Sequence, residues 1–321
     1  MTGTASHSPR IRAIGLVSWD HVIEVDGYPG LGGYSVVTST LEAVGGTTAN
    51  CAAAARRLGA EVALAGTVGD DPLGQAIRDQ LQAIGVDMGG VGVDPIRPTD
   101  ASTVIVERGS GERSILWHKG ARITKGDRLD IDRLFAGDIL IVDTDDLPLR
   151  RFLSDLPAHT RPNARLLGPL TYLSNVGAHD AIEIALRHDI IVGNERELTE
   201  LTELPDPDAA LAWLRSRLRG SNARLLVMTR GANGATAATV DELVSAPGYA
   251  VACRDATGAG DAFVGGLAFA LALRWPLDVS LRLANAVGAL ATTALGSQAG
   301  HPSFAEACAL AGIDSSSLSL S

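Results

Sequence analysis

The segment from residue 255 to 266 places a carboxylate beside a backbone that can bind an anion. Free N–H groups at a helix start attract anions, and the small residues Gly258, Ala259 and Gly260 would let an anion approach closely. Asp261 lies in the first turn of the predicted helix and would repel that anion unless it served a reaction. Because a carboxylate can take a proton from an attacking hydroxyl, the segment predicts phosphoryl transfer to an alcohol.

The local sequence of Asp261 is equally typical of a helix-capping aspartate. The flanking glycines and a second carboxylate, Asp255, favour the catalytic interpretation.

Two other groups are candidates for binding a hydroxylated acceptor. Gly45 and Gly46 precede a predicted helix, and Asn50 within it offers both a donor and an acceptor. Asp20 follows the first predicted strand, and ligands of open parallel sheets bind outside the carboxyl ends of strands. A carboxylate there can accept hydrogen bonds from two sugar hydroxyls. An ordinary turn with a turn aspartate explains the same residues about equally well.

Residues after two later strands are candidates for a nucleotide and its metal. Asn194 and Glu197 carry hard oxygen atoms suited to Mg²⁺ or its waters, although a capped helix start has the same pattern. The turn with Thr229, Gly231 and Gly234 could surround a phosphate or ribose. It matches neither a Walker A loop nor the dinucleotide fingerprint, so a plain glycine-rich turn is the alternative.

Arg113 lies in a predicted hairpin, where it could clamp an anionic or hydroxylated substrate. A solvated hairpin arginine is the simpler interpretation. The histidines show no metal-ligand spacing.

The elements that must position these residues alternate between strands and helices. The predicted strands include residues 11–17, 62–65, 138–142, 190–192 and 225–229. The predicted helices lie between or after these strands, at residues 49–58, 72–84, 181–187, 209–218, 260–274 and 280–295. This alternation predicts a three-layer α/β/α domain with a mostly parallel central sheet. The segments at about 20–42 and 100–120 break the rhythm with β-type patterns. They predict a small β-sheet lid, which also offers a dimer surface.

Composition narrows the class of protein. The 321 residues are 46% hydrophobic and 4% aromatic and include 36 glycines, which fits many strand–helix turns. A net charge of −10 argues against general affinity for nucleic acid or anionic membranes. Three scattered cysteines predict reduced thiols in a cytoplasmic protein. We expect a single domain over 11–310, with tails at 1–10 and 311–321.

These motifs, in this order, resemble the ribokinase-like (PfkB) carbohydrate kinase family from about Ile11 to Phe304. The resemblance rests on Gly45-Gly46 with Asn50 and on the segment Asp255-Ala-Thr-Gly-Ala-Gly-Asp261. It implies the three-layer fold, ATP and Mg²⁺. The segments 111–115 and 296–300 resemble those of ketohexokinase-like and sulfofructose-kinase-like members, which points to a ketose.

The resemblance also implies roles for individual residues. Asp261 would be the catalytic base above an anion hole of Gly258, Ala259 and Gly260. The implied roles of the other residues are as follows: Asp20, Gly46 and Asn50 bind sugar; Asn194 and Glu197 position Mg²⁺ and phosphate; Thr229, Gly231 and Gly234 form the ATP loop; and Asn285 contacts adenine. Some members also bind a monovalent cation such as K⁺, whose ligands here would be Asp255, Thr257, Ala291, Ala294 and Gly296.

Several departures and alternatives stay open. Thr47 replaces the lysine of ribose-specific members, which counts against ribose. Ala256 replaces the family's usual threonine, and the roles of Asp143 and Asp145 are undecided. A nucleoside kinase is the alternative within the class, and a non-catalytic sugar-binding or regulatory protein the alternative outside it. The expected partners are a small sugar, ATP and a second copy of the chain joined through the lid.

Overall fold

The computed structural model describes residues 8–110, 112–156, 164–173 and 178–314. Of the predicted tails, residues 1–7 and 315–321 lie outside this range, as does Gly111 of the predicted hairpin. The strands are β1 Arg10–Gly15, β2 Ser18–Val25, β3 Val37–Gly45, β4 Glu61–Gly69, β5 Asp87–Asp94, β6 Ala101–Glu107, β7 Arg113–His118, β8 Ile139–Asp143, β9 Arg165–Pro169, β10 Ile190–Asn194, β11 Leu225–Thr229, β12 Ala235–Ala238 and β13 Leu243–Ala246. The helices are α1 Thr47–Arg57, α2 Pro72–Ala83, α3 Ile131–Leu134, α4 Leu147–Asp155, α5 Ala178–Ala185, α6 Glu195–Thr202, α7 Pro207–Leu218, α8 Ala259–Ala272, α9 Leu277–Ala291 and α10 Phe304–Ala311.

The larger sheet has the strand order β13-β12-β11-β10-β9-β8-β1-β4-β5. Strands β5 to β11 in this order pair in parallel, and β12 and β13 add an antiparallel edge. Successive residues of a central strand point to opposite faces: Ile139 and Ile141 pack with α1 and α8, whereas Leu140 and Val142 pack with α3 and α4. A sheet buried on both faces needs continuous apolar strands, and this confirms the predicted three-layer α/β/α fold with a mostly parallel sheet.

The smaller sheet, with the order β3-β2-β6-β7, lies beside the larger one. Strands β2 and β6 pair in parallel, and β3 and β7 pair antiparallel at the two edges. Val22, Val104 and Val106 point inward and pack with Leu295 and Leu41. This inward face therefore packs on the loop that follows α9, and the smaller sheet that the sequence predicted is present.

One position was predicted for the wrong reason. The first strand ends at Gly15 rather than at residue 17, and Asp20 lies inside β2 of the smaller sheet. The chain after Gly15 stays extended because it pairs with β6, where Asp20 is opposite Ser102. Asp20 is therefore not at the carboxyl end of a strand in the large sheet.

None of the helices in the described part of the chain is both long enough and apolar enough to cross a membrane.

Candidate active site

A cavity of about 920 Å³ lies between the carboxyl ends of the parallel strands and the inner face of the smaller sheet. Most of the predicted site residues line it, and these are Asp20, Gly46, Asn50, Arg113, Asn194, Glu197, Thr229, Gly231, Thr257, Gly258, Gly260 and Asp261. The structure thus brings together residues from both ends of the chain.

The start of α8 holds the predicted base. Gly258 precedes the helix with φ of 76°, a left-handed conformation in which a Cβ would also lie 2.8 Å from Ser297. A Cβ at Gly260 would meet nothing within 4 Å. The backbone of this turn is therefore open to the cavity at Gly260 and tightly packed at Gly258.

Asp261 is held by a chain of amides. Asn50 Nδ2 donates to Asp261 Oδ2 at 2.8 Å, and Gln298 Nε2 donates to Asn50 Oδ1 at 3.0 Å. Burial raises the pKa of Asp261 to about 8, and the negative charges of Asp143 and Asp20 add to the rise. The hydrogen bond from Asn50 and the charge of Arg113 oppose it. A carboxyl with this pKa can exchange a proton near neutral pH, as a general base must.

Asp255 fixes the loop that precedes α8. Its carboxylate is fully buried and accepts hydrogen bonds from the backbone N–H groups of Thr257 and Gly296, both at 2.8 Å. Thr257 Oγ1 is buried without a hydrogen-bond partner among the described residues. A buried hydroxyl oxygen without a hydrogen-bond partner beside this carboxylate could serve as a cation ligand. The environment of Thr257 Oγ1 therefore supports the predicted monovalent cation site. The roles of Ala291, Ala294 and Gly296 in it stay a prediction.

The predicted acceptor side of the cavity includes Asp20. Ser102 Oγ donates to Asp20 Oδ1 at 2.7 Å, while burial raises the pKa of Asp20. A Cβ at Gly45 would lie 2.0 Å from Asp20 Oδ2, and Gly46 has φ of 92°. Gly45 therefore makes room for Asp20 rather than lining the cavity, whereas Gly46 lies on the cavity wall.

Asn194 and Glu197 fit both of the alternatives drawn from their sequence. Asn194 Oδ1 accepts from Glu197 N, and Glu197 Oε2 accepts from Asn194 N, each at 2.8 Å, so the pair forms a capping box at the start of α6. Both also line the cavity. Burial raises the pKa of Glu197 to about 7, with a contribution from Asp143. A carboxylate that loses its water shell in this way gains from a nearby cation.

A magnesium ion fits this wall if ATP supplies most of its ligands. No cluster of three or more His, Cys, Asp or Glu side chains suitable for a metal occurs in the described part of the chain. Mg²⁺ that is carried by ATP needs only one or two carboxylates besides phosphate oxygens and waters. Glu197 would hold it, most simply through a water molecule.

The residues of the predicted ATP loop differ in their position relative to the cavity. Thr229 and Gly231 line the cavity, but Gly234 does not. A Cβ at Gly234, where φ is 97°, would lie 2.1 Å from the carbonyl oxygen of Ala246. Asn285 Nδ2 donates to the carbonyl oxygens of Ala246 and Pro247 at 3.1 and 3.0 Å. Gly234 and Asn285 thus support the fold of the loop around residue 247, and neither lies on the cavity wall.

Sequence reasoning missed a network of ion pairs on the cavity lining. Arg122 forms ion pairs with Asp100 at 3.0 Å and Asp145 at 2.5 Å, and all three line the cavity. Asp143 lies beneath it, with Oδ1 unpaired among the described residues. The structure thus separates the two undecided carboxylates: Asp145 faces the cavity, whereas Asp143 acts electrostatically on Asp261 and Glu197.

Ser102, Tyr172 and Gln298 were also missed. Tyr172 lines the cavity and its hydroxyl is 3.3 Å from Thr47 Oγ1. Ser102 would have been found from the register of β2 and β6, which is not readable from sequence. Gln298 lies in the segment 296–300, which was singled out, but its contact with Asn50 was not expected.

Comparison with known proteins gives a consistent result. The model of the pfkB family carbohydrate kinases matches residues 9–303. Ribokinase of Bacillus subtilis is 30% identical over 302 residues, covering 91% of this chain and 96% of the relative. Fructokinase of Klebsiella pneumoniae is 32% identical over 281 residues, covering 82% of this chain and 90% of the relative. Among solved structures, Arabidopsis thaliana ribokinase complexed with ribose and ATP has a TM-score of 0.80 at 20% identity, covering 96% of this chain and 100% of that chain.

Proposed function

The chain belongs to the pfkB family and is an ATP-dependent carbohydrate kinase, and from this premise we propose that it phosphorylates a hydroxymethyl group of a small, ketose-like sugar. The observation that supports this proposal is the carboxylate of Asp261, which accepts a hydrogen bond from Asn50 at the open start of α8. Asp20, Gly46 and Asn50 would hold the acceptor hydroxyls. Asp261 would receive the proton of the reacting hydroxyl.

The proposed step is a single displacement. The acceptor oxygen forms a bond to the γ-phosphorus of ATP while the bond from that phosphorus to the β–γ bridging oxygen breaks. ADP leaves, and the hydroxyl proton passes to Asp261. The backbone N–H groups at residues 258–260 would bind the transferring oxygens, and one missing donor of this kind costs about 3 kcal/mol in comparable sites. Bound Mg²⁺, held through Glu197, would neutralise phosphate charge.

The proposed acceptor is small because the Trp117 ring on the cavity lining is already covered by cations. The guanidinium carbon of Arg122 lies 4.1 Å from the centre of the Trp117 ring, and Lys119 Nζ lies 5.2 Å from it. A nucleoside base would have to displace these cations to stack there. This contact disfavours the nucleoside kinase alternative. The intact base and glycine turn disfavour a non-catalytic protein.

A screen of ATP consumption over ketoses, aldoses, sugar acids and nucleosides, with and without K⁺, tests the proposal. We expect the highest kcat/KM with a ketose. A nucleoside as the best acceptor would overturn the proposed substrate class. Stimulation by none of them would overturn catalysis and revive the sugar-binding alternative.

A further inference from the structure

We propose that Arg113 is a second catalytic residue, a cation that the smaller sheet places on the phosphoryl group during its transfer. This inference rests on the proposed kinase reaction. It assigns Arg113 to the moving phosphoryl group rather than to the acceptor.

The placement of Arg113 follows from strand register. Arg113 begins β7, where it pairs with Val106 of β6, whose side chain points inward. Because side chains alternate along a strand, Arg113, Ile115 and Trp117 share that inward face, and all three line the cavity. Gly258, Gly260 and Asp261 of the α8 turn line the same cavity.

Three cations line the cavity among the described residues, and two of them are engaged. Arg122 is paired with two carboxylates, and Lys119 lies over the ring of Trp117. Arg113 forms no ion pair within 4 Å with any carboxylate of the described residues, yet its positive charge lowers the pKa of Asp261. Arg113 is therefore the cation whose charge reaches the predicted transfer point.

Negative charge collects at the predicted transfer point. The charges of Asp143 and Asp20 both act on Asp261, and ATP would add its γ-phosphate. Phosphoryl transfer depends on neutralising charge spread over the equatorial oxygens, and a planar guanidinium can donate to two of them. Arg113 would supply this charge while the acceptor oxygen binds phosphorus and the proton moves to Asp261. It would also favour the ionised form of Asp261.

The experiment compares Arg113→Gln and Arg113→Lys with the wild-type enzyme on the best acceptor and on a second, weaker one. For Arg113→Gln we expect kcat to fall by about 100-fold or more with both acceptors, as for loss of one charged transition-state donor. The acceptor KM should change by less than about threefold, because Arg113 would bind the transferring phosphoryl group in the transition state and not the acceptor in the ground state. Arg113→Lys should recover part of kcat. Arg108→Gln is the matched control, since Arg108 lies in the same hairpin, pairs with Asp26 at 3.4 Å and is absent from the cavity wall.

A pH profile provides a second measurement. Asp261 faces Asn50 of α1, Asp20 of β2, Asp143 of β8 and Arg113 of β7. Arg113→Gln removes the positive charge that lowers the pKa of Asp261. The acid limb of the kcat/KM profile should therefore move to higher pH. A merely structural role would leave that limb in place.

Three results would overturn the inference. An unchanged kcat in Arg113→Gln would show that the cation takes no part. A raised acceptor KM with kcat intact would assign Arg113 to acceptor binding instead. If no acceptor in the screen stimulated ATP consumption by the wild-type enzyme, the proposed function itself would fail, and the role of Arg113 with it. The first result, an active wild type with an equally active Arg113→Gln variant, would overturn only the role of Arg113.

Discussion

Asp261 combines two properties that act against each other. A general base must be ionised, but burial raises the pKa of this carboxyl to about 8. Asn50 partly offsets the effect by donating a hydrogen bond at 2.8 Å. On the proposed function, Asp261 would be a base of high proton affinity, which is suited to taking a proton from an alcohol.

Replacing Asp261 by Asn should lower kcat by at least about 100-fold, because acid–base catalysis of this kind typically contributes that much. ATP binding should be retained, since the glycine turn is unchanged. In the wild type kcat/KM should rise with pH toward about 8, as the deprotonated form of Asp261 accumulates. Steady-state kinetics and ATP titration calorimetry measure these effects. Turnover near that of the wild type would contradict the assignment of the base.

The same substitution should stabilise the fold in the absence of ligands. The folded-state pKa of about 8 exceeds the ordinary value of 3.8, so the stability that Asp261 contributes is present below pH 3.8 and lost as pH rises to about 8. Asn does not ionise, so the melting temperature of Asp261→Asn should exceed that of the wild type by a margin that grows from pH 5 to pH 8. The exposed Asp241 provides the control as Asp241→Asn. A constant margin across this pH range would refute the linkage.

For individual residues, the sequence predicted which side chains lie at the site better than it predicted their surroundings. Asp261 and Asn50 could be named because residue type and nearby glycines carry the signal, whereas Asp20 was named from a strand end that the fold does not contain. The pKa of Asp261 could not be predicted, since it depends on burial and on the charges of Asp143 and Asp20, which are more than 100 residues away. The double hydrogen bonding of Asp255 was likewise invisible, because Gly296 lies on a distant loop.

The turn at the start of α8 contains two glycines that differ in the space around them. Gly258 has a positive φ and no room for a Cβ, whereas Gly260 faces open space. Both glycines line the cavity, but only Gly258 is packed against Ser297.

The two glycines should therefore respond differently to alanine. Gly258→Ala should lower the free energy of unfolding by about 1–3 kcal/mol through strain, and kcat should fall with it. Gly260→Ala should leave the free energy of unfolding within about 0.5 kcal/mol of the wild type, because its Cβ meets nothing. Its kcat should still fall, since the methyl group would occupy the space for the anion. Urea denaturation with kinetics on the same samples makes the comparison, and equal effects on stability would contradict it.

Element order was readable from sequence where periodicity is local. The strand Leu225–Thr229 was predicted with its exact bounds. The short edge strands β12 and β13 were missed, as was the position of Asp20 within β2. Parallel pairing of β2 with β6 joins residues about 80 positions apart, and such pairing leaves no local pattern.

For the whole molecule, exposed apolar residues concentrate in the smaller sheet and its connections. Tyr28, Leu31, Tyr34 and Val36 lie between β2 and β3 with at least half of their surface exposed, and Leu116 of β7 is 54% exposed. An exposed apolar patch of this kind typically marks an interaction surface. It supports the prediction that two copies associate through the smaller sheet.

Light scattering coupled to size-exclusion chromatography should give about twice the mass of one chain. The double substitution Leu31→Asp and Tyr34→Asp should convert the protein to a monomer, because each adds a charge to a buried apolar contact. The exposed Leu243→Asp on the far edge of the large sheet should remain dimeric. A wild-type monomer at every concentration would exclude this association.

The location of Asp20 on a different sheet from Asp261 has a consequence for unwanted hydrolysis. Asp20 belongs to the smaller sheet, whereas Asn50 and Asp261 belong to helices packed on the larger one. On the proposed function, an acceptor that hydrogen-bonds both Asp20 and Asn50 ties the two sheets together across the cavity. Water offers a single oxygen, whereas a sugar carries several hydroxyls on one frame. Only the sugar would therefore hold Asp20 and Asn50 while it presents a separate hydroxyl to Asp261. The binding energy that favours the sugar over water as a nucleophile would thus come from hydroxyls that do not react.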